Sequence, residues 1–333
     1  MTDRETTGSL FTFLVFLGLI LTFAAVILSA YLRLEYIGLG CEEWPDCFAE
    51  MPVVQARGVV PATTAGAIHR FAATLLGLIV IAITVMALRG RRPAGIGLTA
   101  PLSVFGLTLF LSILGYNTPA PQLPAVTLGN LVGGMAMLAL LWWMGQRSVK
   151  MVSDEPAVKN TLRPWALLGL LILAVQITLG ALTSANFAGP SCGATLLACD
   201  GSWASITNLI QGFDPYRRLV VDDQGWIIAD SVQRTLHMAH RLSALVTFLY
   251  LAGLALKALS LGKRFRSTSI SIIALLLTQA GLGVSAVLAE LPLLLVTAHN
   301  AIAAMLLLAV VNLNHLLIPI GRSVVPRRST AQD

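Results

Sequence analysis

Long apolar segments dominate this chain, and each is long enough to cross a lipid bilayer as a helix. The clearest lies at 291–317, LPLLLVTAHNAIAAMLLLAVVNLNHLL, and carries His299 about two turns inside its leading end. A spanning helix needs about 20 predominantly apolar residues. Eight segments satisfy this need, at 10–32, 67–88, 95–116, 124–145, 164–186, 234–256, 268–289 and 292–317. The pattern predicts an all-α integral membrane protein with eight transmembrane helices.

The distribution of charge predicts how the chain is oriented in the membrane. Hydrophobic residues make up 56% of the chain and charged residues 11%, while the formal net charge is +6. Most of the basic residues, including every lysine, lie in alternate connecting segments, at 89–92, 147–163, 257–266 and 322–328. The positive-inside rule therefore predicts cytoplasmic N- and C-termini in a bacterial-type inner (plasma) membrane. The basic excess reflects topology and contact with membrane lipid, and it excludes nucleic acid as a partner.

Three histidines lie inside the predicted spans. His69-Arg70 opens the second span, His240-Arg241 opens the sixth, and His299 lies early in the eighth. A histidine in a membrane helix is costly and is by default a functional candidate, although it can also be a satisfied polar residue. Two imidazoles at similar depth suit the axial ligation of haem iron, whereas zinc would need further ligands. Arg70 and Arg241 would lie near the outer interface, where they can pair with a haem propionate.

A ten-residue repeat links the fourth span to the eighth. The run VTLGNLVGGM at 126–135 aligns without a gap with VTAHNAIAAM at 296–305, which places Gly129 at the position of His299. With His69 alone, the earlier site could hold iron on one face only. The glycine then leaves space for a substrate porphyrin or a sixth ligand, or it marks an inactive site, and both interpretations remain open.

The repeat extends to the whole chain. The histidine of the second span precedes the aligned position of the fourth by 60 residues, and the later pair is separated by 59. This predicts an internal duplication into two tandem four-helix bundles, at residues 1–150 and 160–320. Because each bundle contains four spans, both enter the membrane in the same sense. The pseudo-two-fold axis is therefore expected along the membrane normal.

All four cysteines of the chain fall into two predicted outer loops, as the close pairs Cys41 with Cys47 and Cys192 with Cys199. The outer side is an oxidising compartment in which disulfides persist. Local pairing within each loop is the expectation among three connectivities. The pairs then act as structural staples, or one of them is redox-active and exchanges with a thiol partner.

Three further features receive smaller roles. His237, one turn before His240, would position a propionate, shuttle a proton or be solvated at the outer mouth of the second bundle. His315 is expected at the cytoplasmic interface. The run at 278–283, TQAGLG, contains small residues that favour close helix packing.

Several of these elements together resemble the haem A synthase family of cytochrome oxidase assembly proteins, over nearly the whole chain. The matching elements are Arg33-Leu34 through the Cys41–Cys47 loop, Ile68-His69-Arg70, 184–187 with the second cysteine pair, 237–242 and 296–300. The resemblance implies a haem b cofactor on His240 and His299 in the C-terminal half. It also implies that the N-terminal half binds haem O, whose ring methyl group is oxidised to a formyl group to give haem A.

In such a protein the haem b centre would pass electrons in this oxidation. Haem O synthase and cytochrome oxidase assembly factors are the implied partners, and a homo-oligomer is left open. The sequence departs from the family pattern at two positions of the N-terminal half. Gly66 stands where the family has a glutamate, three residues before His69, and Gly129 stands where it has a histidine. The missing carboxylate is the natural candidate for acid–base chemistry, so no catalytic residue can be named.

Three functions compete on this basis. The first is a haem A synthase with an altered substrate site, in which His69 is the one protein ligand. The second is a haem b-binding membrane protein without synthase activity, such as a haem carrier, an assembly factor or an electron-transfer cytochrome. The third is a transporter, which only the duplicated helices suggest.

Overall fold

The computed structural model describes residues 3–34, 64–116, 124–149, 161–196, 198–199, 201, 203–214, 217 and 228–318. Eight long helices account for most of these residues. They are α1 (Asp3–Leu34), α2 (Thr64–Leu88), α3 (Thr99–Tyr116), α4 (Pro124–Ser148), α5 (Arg163–Ala185), α6 (Ser231–Leu259), α7 (Lys263–Leu288) and α8 (Leu293–Leu316). A 3₁₀ turn, Gly189–Cys192, and a short loop helix, Ile206–Gly212, lie between α5 and α6.

Seven of the described helices are long and apolar enough to cross a membrane, and the chain is a multi-pass membrane protein. The exception is α3, which is apolar but shorter and begins at Thr99, not at the predicted residue 95. The preceding residues form a turn: Arg92 Nη1 donates to Ala87 O (2.7 Å) and its Nε donates to Ile96 O (2.9 Å). Arg147 Nε also donates to Gly95 O (2.9 Å), so arginine side chains hold this turn before α3 begins.

The long helices contact one another in the same cyclic order in both halves of the chain. In the first half α1 contacts α2, α2 contacts α3, α3 contacts α4, and α4 contacts α1. In the second half α5, α6, α7 and α8 repeat this order, with α8 contacting α5. Each set of four therefore surrounds its own interior, where side chains from facing helices can build a site.

The two halves meet through α1, α4, α5 and α8. A polar contact crosses this interface, because Gln146 Nε2 of α4 donates to Asn312 Oδ1 of α8 (2.5 Å). Within the second half, Asn314 Nδ2 of α8 donates to Ala166 O of α5 (3.0 Å). Hydrogen bonds of this kind between membrane helices add to the packing that drives their association.

Apolar packing is concentrated at one end of the helices. The main buried cluster draws on the late parts of α2, α4, α6 and α8 and on the early parts of α5 and α7, including Phe265, Leu138, Leu251 and Val310. The opposite end carries the Cys192–Cys199 disulfide, and we call it the disulfide end. A smaller cluster around Leu182 and Leu236 lies there.

Candidate functional site

His240 and His299 face each other inside the second set of four helices. His240 lies in the third turn of α6 and His299 in the second turn of α8. Their ring centroids are 6.5 Å apart, and the ring planes are inclined by 76°. The structure therefore brings together the two histidines that the sequence analysis selected as a pair.

The ring of His240 is held by a polar group from α5. Gln176 Nε2 donates to His240 Nδ1 (3.0 Å) and to the backbone carbonyl of His240 (3.2 Å). Ser243, one turn further along α6, donates from its hydroxyl to Gln176 Oε1 and to His240 O. Both ends of the glutamine amide are thus engaged, and the orientation of the His240 ring is fixed by its neighbours.

His299 has an equivalent partner on α7 with fewer restraints. Gln279 Nε2 donates to His299 Nε2 (3.0 Å). In the described part of the chain, Gln279 Oε1 and His299 Nδ1 are buried and have no hydrogen-bond partner. Because a buried polar atom without a partner is costly, the two atoms mark a place where the polar network is incomplete.

A glycine lies behind each histidine ring. A Cβ atom on Gly180 of α5 would lie 2.9 Å from His240 Cε1, and one on Gly283 of α7 would lie 3.1 Å from His299 Cε1. A side chain at either position would displace the ring. The two glycines therefore allow the imidazoles to lie directly against the backbones of the neighbouring helices.

The geometry of this pair fits bis-histidine ligation of a haem iron. A bond between a metal and an imidazole nitrogen is about 2 Å long, so two rings that bind one iron from opposite sides have centres roughly 6 Å apart. The observed 6.5 Å agrees with this separation. Among the described residues no group of three or more His, Cys, Asp or Glu side chains could hold a metal ion. The donor set suits haem, which needs two protein ligands, better than zinc.

Arg241 lies above this pair and is held by the loop at the disulfide end. Its Nη1 donates to the carbonyls of Thr195 (2.5 Å) and Leu196 (3.3 Å), and its Nε donates to His237 Nε2 (3.1 Å). Its Nη2 is buried and has no partner in the described part of the chain. A guanidinium with one unsatisfied nitrogen beside a buried histidine is suited to receive a carboxylate.

The loop over Arg241 is closed by a disulfide between Cys192 and Cys199, which confirms that predicted pairing. Thr195, inside the closed loop, donates from its hydroxyl to the carbonyls of Cys192 (2.9 Å) and Ala198 (2.7 Å). The disulfide packs against Met238 of α6. Cys41 and Cys47 lie outside the described residues, so their predicted pairing stays a prediction.

A second polar group anchors the start of α6, and the sequence analysis did not identify it. Asp230 and Gln233 form a capping box, and Gln233 Nε2 donates to Asn186 O (2.8 Å). Arg217 donates to Asn186 Oδ1 (2.8 Å) and pairs with Asp230. The signal was present in the sequence, because an Asp followed three residues later by Gln before an apolar run is typical of a helix N-terminus.

The first half is arranged differently. His69 and Arg70 lie near the start of α2, where His69 is partly exposed and Arg70 is exposed, and Gly66 is buried. No ring of another histidine faces His69 within the described residues. A Cβ atom on Gly129 of α4 would overlap Leu114 of α3. The structure therefore brings no described second ligand to His69, and an α3 side chain fills the space at Gly129.

The remaining histidine, His315, packs edge-on against Trp143 of α4, with ring centroids 5.6 Å apart. It lies in the last turn of α8, at the end opposite the disulfide. It belongs to the contact between the two halves and is distant along α8 from His299.

Comparison with known proteins gives two matches. The model of the cytochrome oxidase assembly protein family COX15-CtaA matches residues 12–311. A heme A synthase from Shewanella oneidensis is 32% identical over 323 residues, covering 92% of this chain and 96% of the relative. The family match extends from α1 to α8 and includes the two histidines that face each other.

Proposed function

Because the chain belongs to the COX15-CtaA family of cytochrome oxidase assembly proteins, we propose that it is a haem A synthase. It would convert haem O to haem A in the membrane for cytochrome oxidase assembly. The relative that matches over nearly the full length of both chains carries the name of this activity. The observation on which the proposal depends is the facing pair of His240 and His299, 6.5 Å apart at the ring centroids.

In the second half, His240 and His299 would hold haem b. This cofactor supplies one-electron transfer when bound, and axial ligands and burial set its potential. Arg241, with His237 beside it, would bind a propionate through Nη2, which has no partner in the described part of the chain. The Cys192–Cys199 loop keeps Arg241 in place through two backbone carbonyls.

In the first half, His69 is the one protein ligand of the substrate, haem O, and Arg70 is available to its propionates. Gly129 supplies no ligand, and the side chains of Leu114 and Phe110 lie over it. A substrate porphyrin that reached Gly129 would displace these two side chains. No acidic side chain stands at Gly66, so proton transfer in the oxidation depends on other groups or on water.

The proposal includes the arrangement in the membrane. Residues 1–150 and 160–320 form two bundles related by a pseudo-two-fold axis along the membrane normal, which the matching cyclic order of helix contacts supports. The termini lie in the cytoplasm and the cysteine loops on the outer side, which the positions of the basic residues support. Partners are membrane lipid, haem O synthase and cytochrome oxidase assembly factors; a second copy of the chain is compatible with this arrangement.

A second function is favoured by one observation in the first half. The position of the missing histidine is closed by packing, since a Cβ on Gly129 would overlap Leu114, and Gly66 carries no carboxylate. A protein with this first half would be a haem b-binding membrane protein without synthase activity, serving as a haem carrier, an assembly factor or an electron-transfer cytochrome.

The test is a chromatogram of the haems extracted from the protein, purified from cells that make haem O. Haem A together with haem b is expected for the synthase. Haem b alone in the parent, together with formation of haem A by a Gly66→Glu, Gly129→His variant, would establish the second function. A parent protein that contains neither haem would contradict both.

A further inference from the structure

The same two residue types accompany both histidines of the second half. Gln176 and Gly180 are four residues apart on α5, and Gln279 and Gly283 are four residues apart on α7. Residues with this spacing lie on one face of a helix. In each pair the glutamine donates to the imidazole (3.0 Å in both cases), and the glycine lies against the ring. Two helices thus present the same pair of groups to two different histidines.

We propose that these Gln-x-x-x-Gly pairs are the positioning elements of the two haem ligands, and that the glutamines set how strongly each imidazole donates electrons to the iron. This inference rests on the proposed haem b site. The glycines decide where each ring lies, and the amides decide its rotation and basicity. None of the four residues is itself a ligand.

The role of the amides follows from the chemistry of a bound imidazole. When one ring nitrogen binds a metal, the other carries a proton and donates it to an acceptor, which raises the basicity of the ligand. A glutamine amide contains both a donor and an acceptor, and half a rotation of the amide exchanges them. Each glutamine can therefore stabilise the free ring through its Nε2 and the iron-bound ring through its Oε1.

The two glutamines differ in how easily they make this change. Gln279 Oε1 has no partner within the described residues, so rotating this amide gives its oxygen a partner in the His299 ring. Gln176 is held at both ends, by the hydroxyl of Ser243 and by the carbonyl of His240. Its rotation requires Ser243 to become an acceptor. We therefore expect Gln279 to have the larger influence on the ligand field of the iron.

A purely structural role for the glutamines is the alternative, because polar side chains often join membrane helices by hydrogen bonds. The two roles differ in what they affect. A structural hydrogen bond changes how much haem the protein holds. An acceptor on the ligand also changes the reduction potential of the haem that is held, since hydrogen bonding around the ligands tunes it.

The test compares leucine and glutamate substitutions at both positions in the purified, haem-loaded protein. Midpoint potential is measured by optical redox titration, and low-spin electron paramagnetic resonance reports the ligand field. Gln279→Leu is expected to raise the midpoint potential, because the iron-bound ring loses its acceptor and donates less. Gln279→Glu, with a stronger acceptor, is expected to lower it. The corresponding Gln176 variants are expected to give smaller shifts of the same signs.

The matched control is Gln146→Leu. Gln146 also donates a hydrogen bond between helices, to Asn312 (2.5 Å), but it lies at the interface of the two halves. Its replacement is expected to leave the midpoint potential and the spectrum unchanged. The proposal is overturned if the Gln279 leucine and glutamate variants both keep the parent potential, or if both shift it in the same direction.

The glycines provide a second measurement in case the leucine variants hold no haem. Gly283→Ala is expected to alter the low-spin spectrum or reduce the haem content, because the added Cβ would lie 3.1 Å from the His299 ring. Gly281→Ala, two residues away on the same helix with nothing within 4 Å of the added atom, is expected to match the parent. Identical spectra and haem contents for the two variants would contradict the positioning role.

These measurements separate the inference from the proposed function. Both readouts come from haem b in the second half and require no synthase activity. A parent that holds haem b but forms no haem A would remove the proposed activity and leave the positioning role testable. A parent that holds no haem b would remove the proposed site, and the positioning role with it.

Discussion

In both halves of the protein, a large and a small residue pack against each other between the third and fourth helices. The helix that carries the large residue differs between the halves. In the second half, α8 presents the large side chain of His299 and α7 presents Gly283 behind it. In the first half, α4 presents the small residue, Gly129, and α3 presents Leu114 over it. The pairs are separated along the chain by similar distances, 16 and 15 residues. Close approach of the third and fourth helices is thus retained, while a histidine at this position of the fourth helix is present in the second half only.

This comparison teaches that packing and ligation can change independently in a duplicated helix bundle. A histidine and a leucine of comparable size fill one cavity each, so replacing one arrangement by the other preserves the contact between helices. What is lost is a ligand with its hydrogen-bond partner. In α3 the positions over Gly129 and Gly133 are taken by leucine and phenylalanine side chains, and no glutamine lies on this helix.

The largest expected effect tests whether haem b belongs to the second half alone. His240→Ala and His299→Ala are each expected to lower the haem b content by more than about tenfold, because even outer partners of a metal ligand are worth 10- to 100-fold in affinity. His69→Ala is expected to keep haem b. The measurement is the haem-to-protein ratio of each purified variant, with His315→Ala as a control on α8. Loss of haem b on replacing His69 would assign the cofactor to the first half and contradict the proposed difference between the halves.

The sequence predicted the helices and the two facing histidines, because both depend on strong local signals. Long apolar runs identify spanning helices, and a histidine among them is rare enough to mark a site. The partners of the histidines were not predicted. Gln279 was noted only within a run of small residues, and Gln176 was not singled out, because a glutamine in an apolar helix gives no sign of which neighbouring helix it faces. That information comes from the cyclic order of the helices.

The start of α3 was wrong by four residues for a related reason. Apolar character continues from residue 95, but the carbonyls of Gly95 and Ile96 are used by arginine side chains from neighbouring segments. Those contacts are formed only in the folded protein. Helix boundaries decided by tertiary hydrogen bonds are therefore less visible in the sequence than the existence of the helix.

The second prediction concerns variants that give the first half the histidine–glycine pair of the second half, by substitution at Gly129 and Leu114. Gly129→His alone is expected to destabilise the protein by about 1–3 kcal/mol, since the new side chain overlaps Leu114 and forces repacking. Gly129→His with Leu114→Gly copies the pairing of His299 with Gly283 and is expected to recover most of this loss. Thermal unfolding in detergent measures the change. A single variant as stable as the parent would show that Leu114 does not fill this space.

The third prediction concerns the disulfide that holds the loop over Arg241. Replacing Cys192 and Cys199 by serine is expected to cost about 2.5 kcal/mol, the chain-entropy value for so short a closed loop. Because Thr195 and Leu196 lie inside the loop, the carbonyls that hold Arg241 become less ordered. Faster loss of haem b to an external haem acceptor is therefore expected as well. A stable variant with the parent rate of haem loss would show that the loop does not position Arg241.

The smallest effect is expected at the start of α6, the helix that carries His240. Among α5 to α8, α6 is distinguished by a side-chain capping box, which Asp230 and Gln233 form, whereas α5, α7 and α8 have no side-chain cap. Asp230→Ala is expected to destabilise the protein by about 1 kcal/mol, the usual value for a lost cap, with a small further loss from the broken pair with Arg217.

Asp230→Asn is the matched variant, because asparagine caps a helix about as well as aspartate but removes the charge that pairs with Arg217. If the cap is the larger contribution, thermal unfolding of Asp230→Asn stays closer to that of the parent than to that of Asp230→Ala. The opposite order would assign the stability of this end of α6 to the ion pair. The start of α6 would then be stabilised mainly by Arg217, which bridges Asp230 and Asn186.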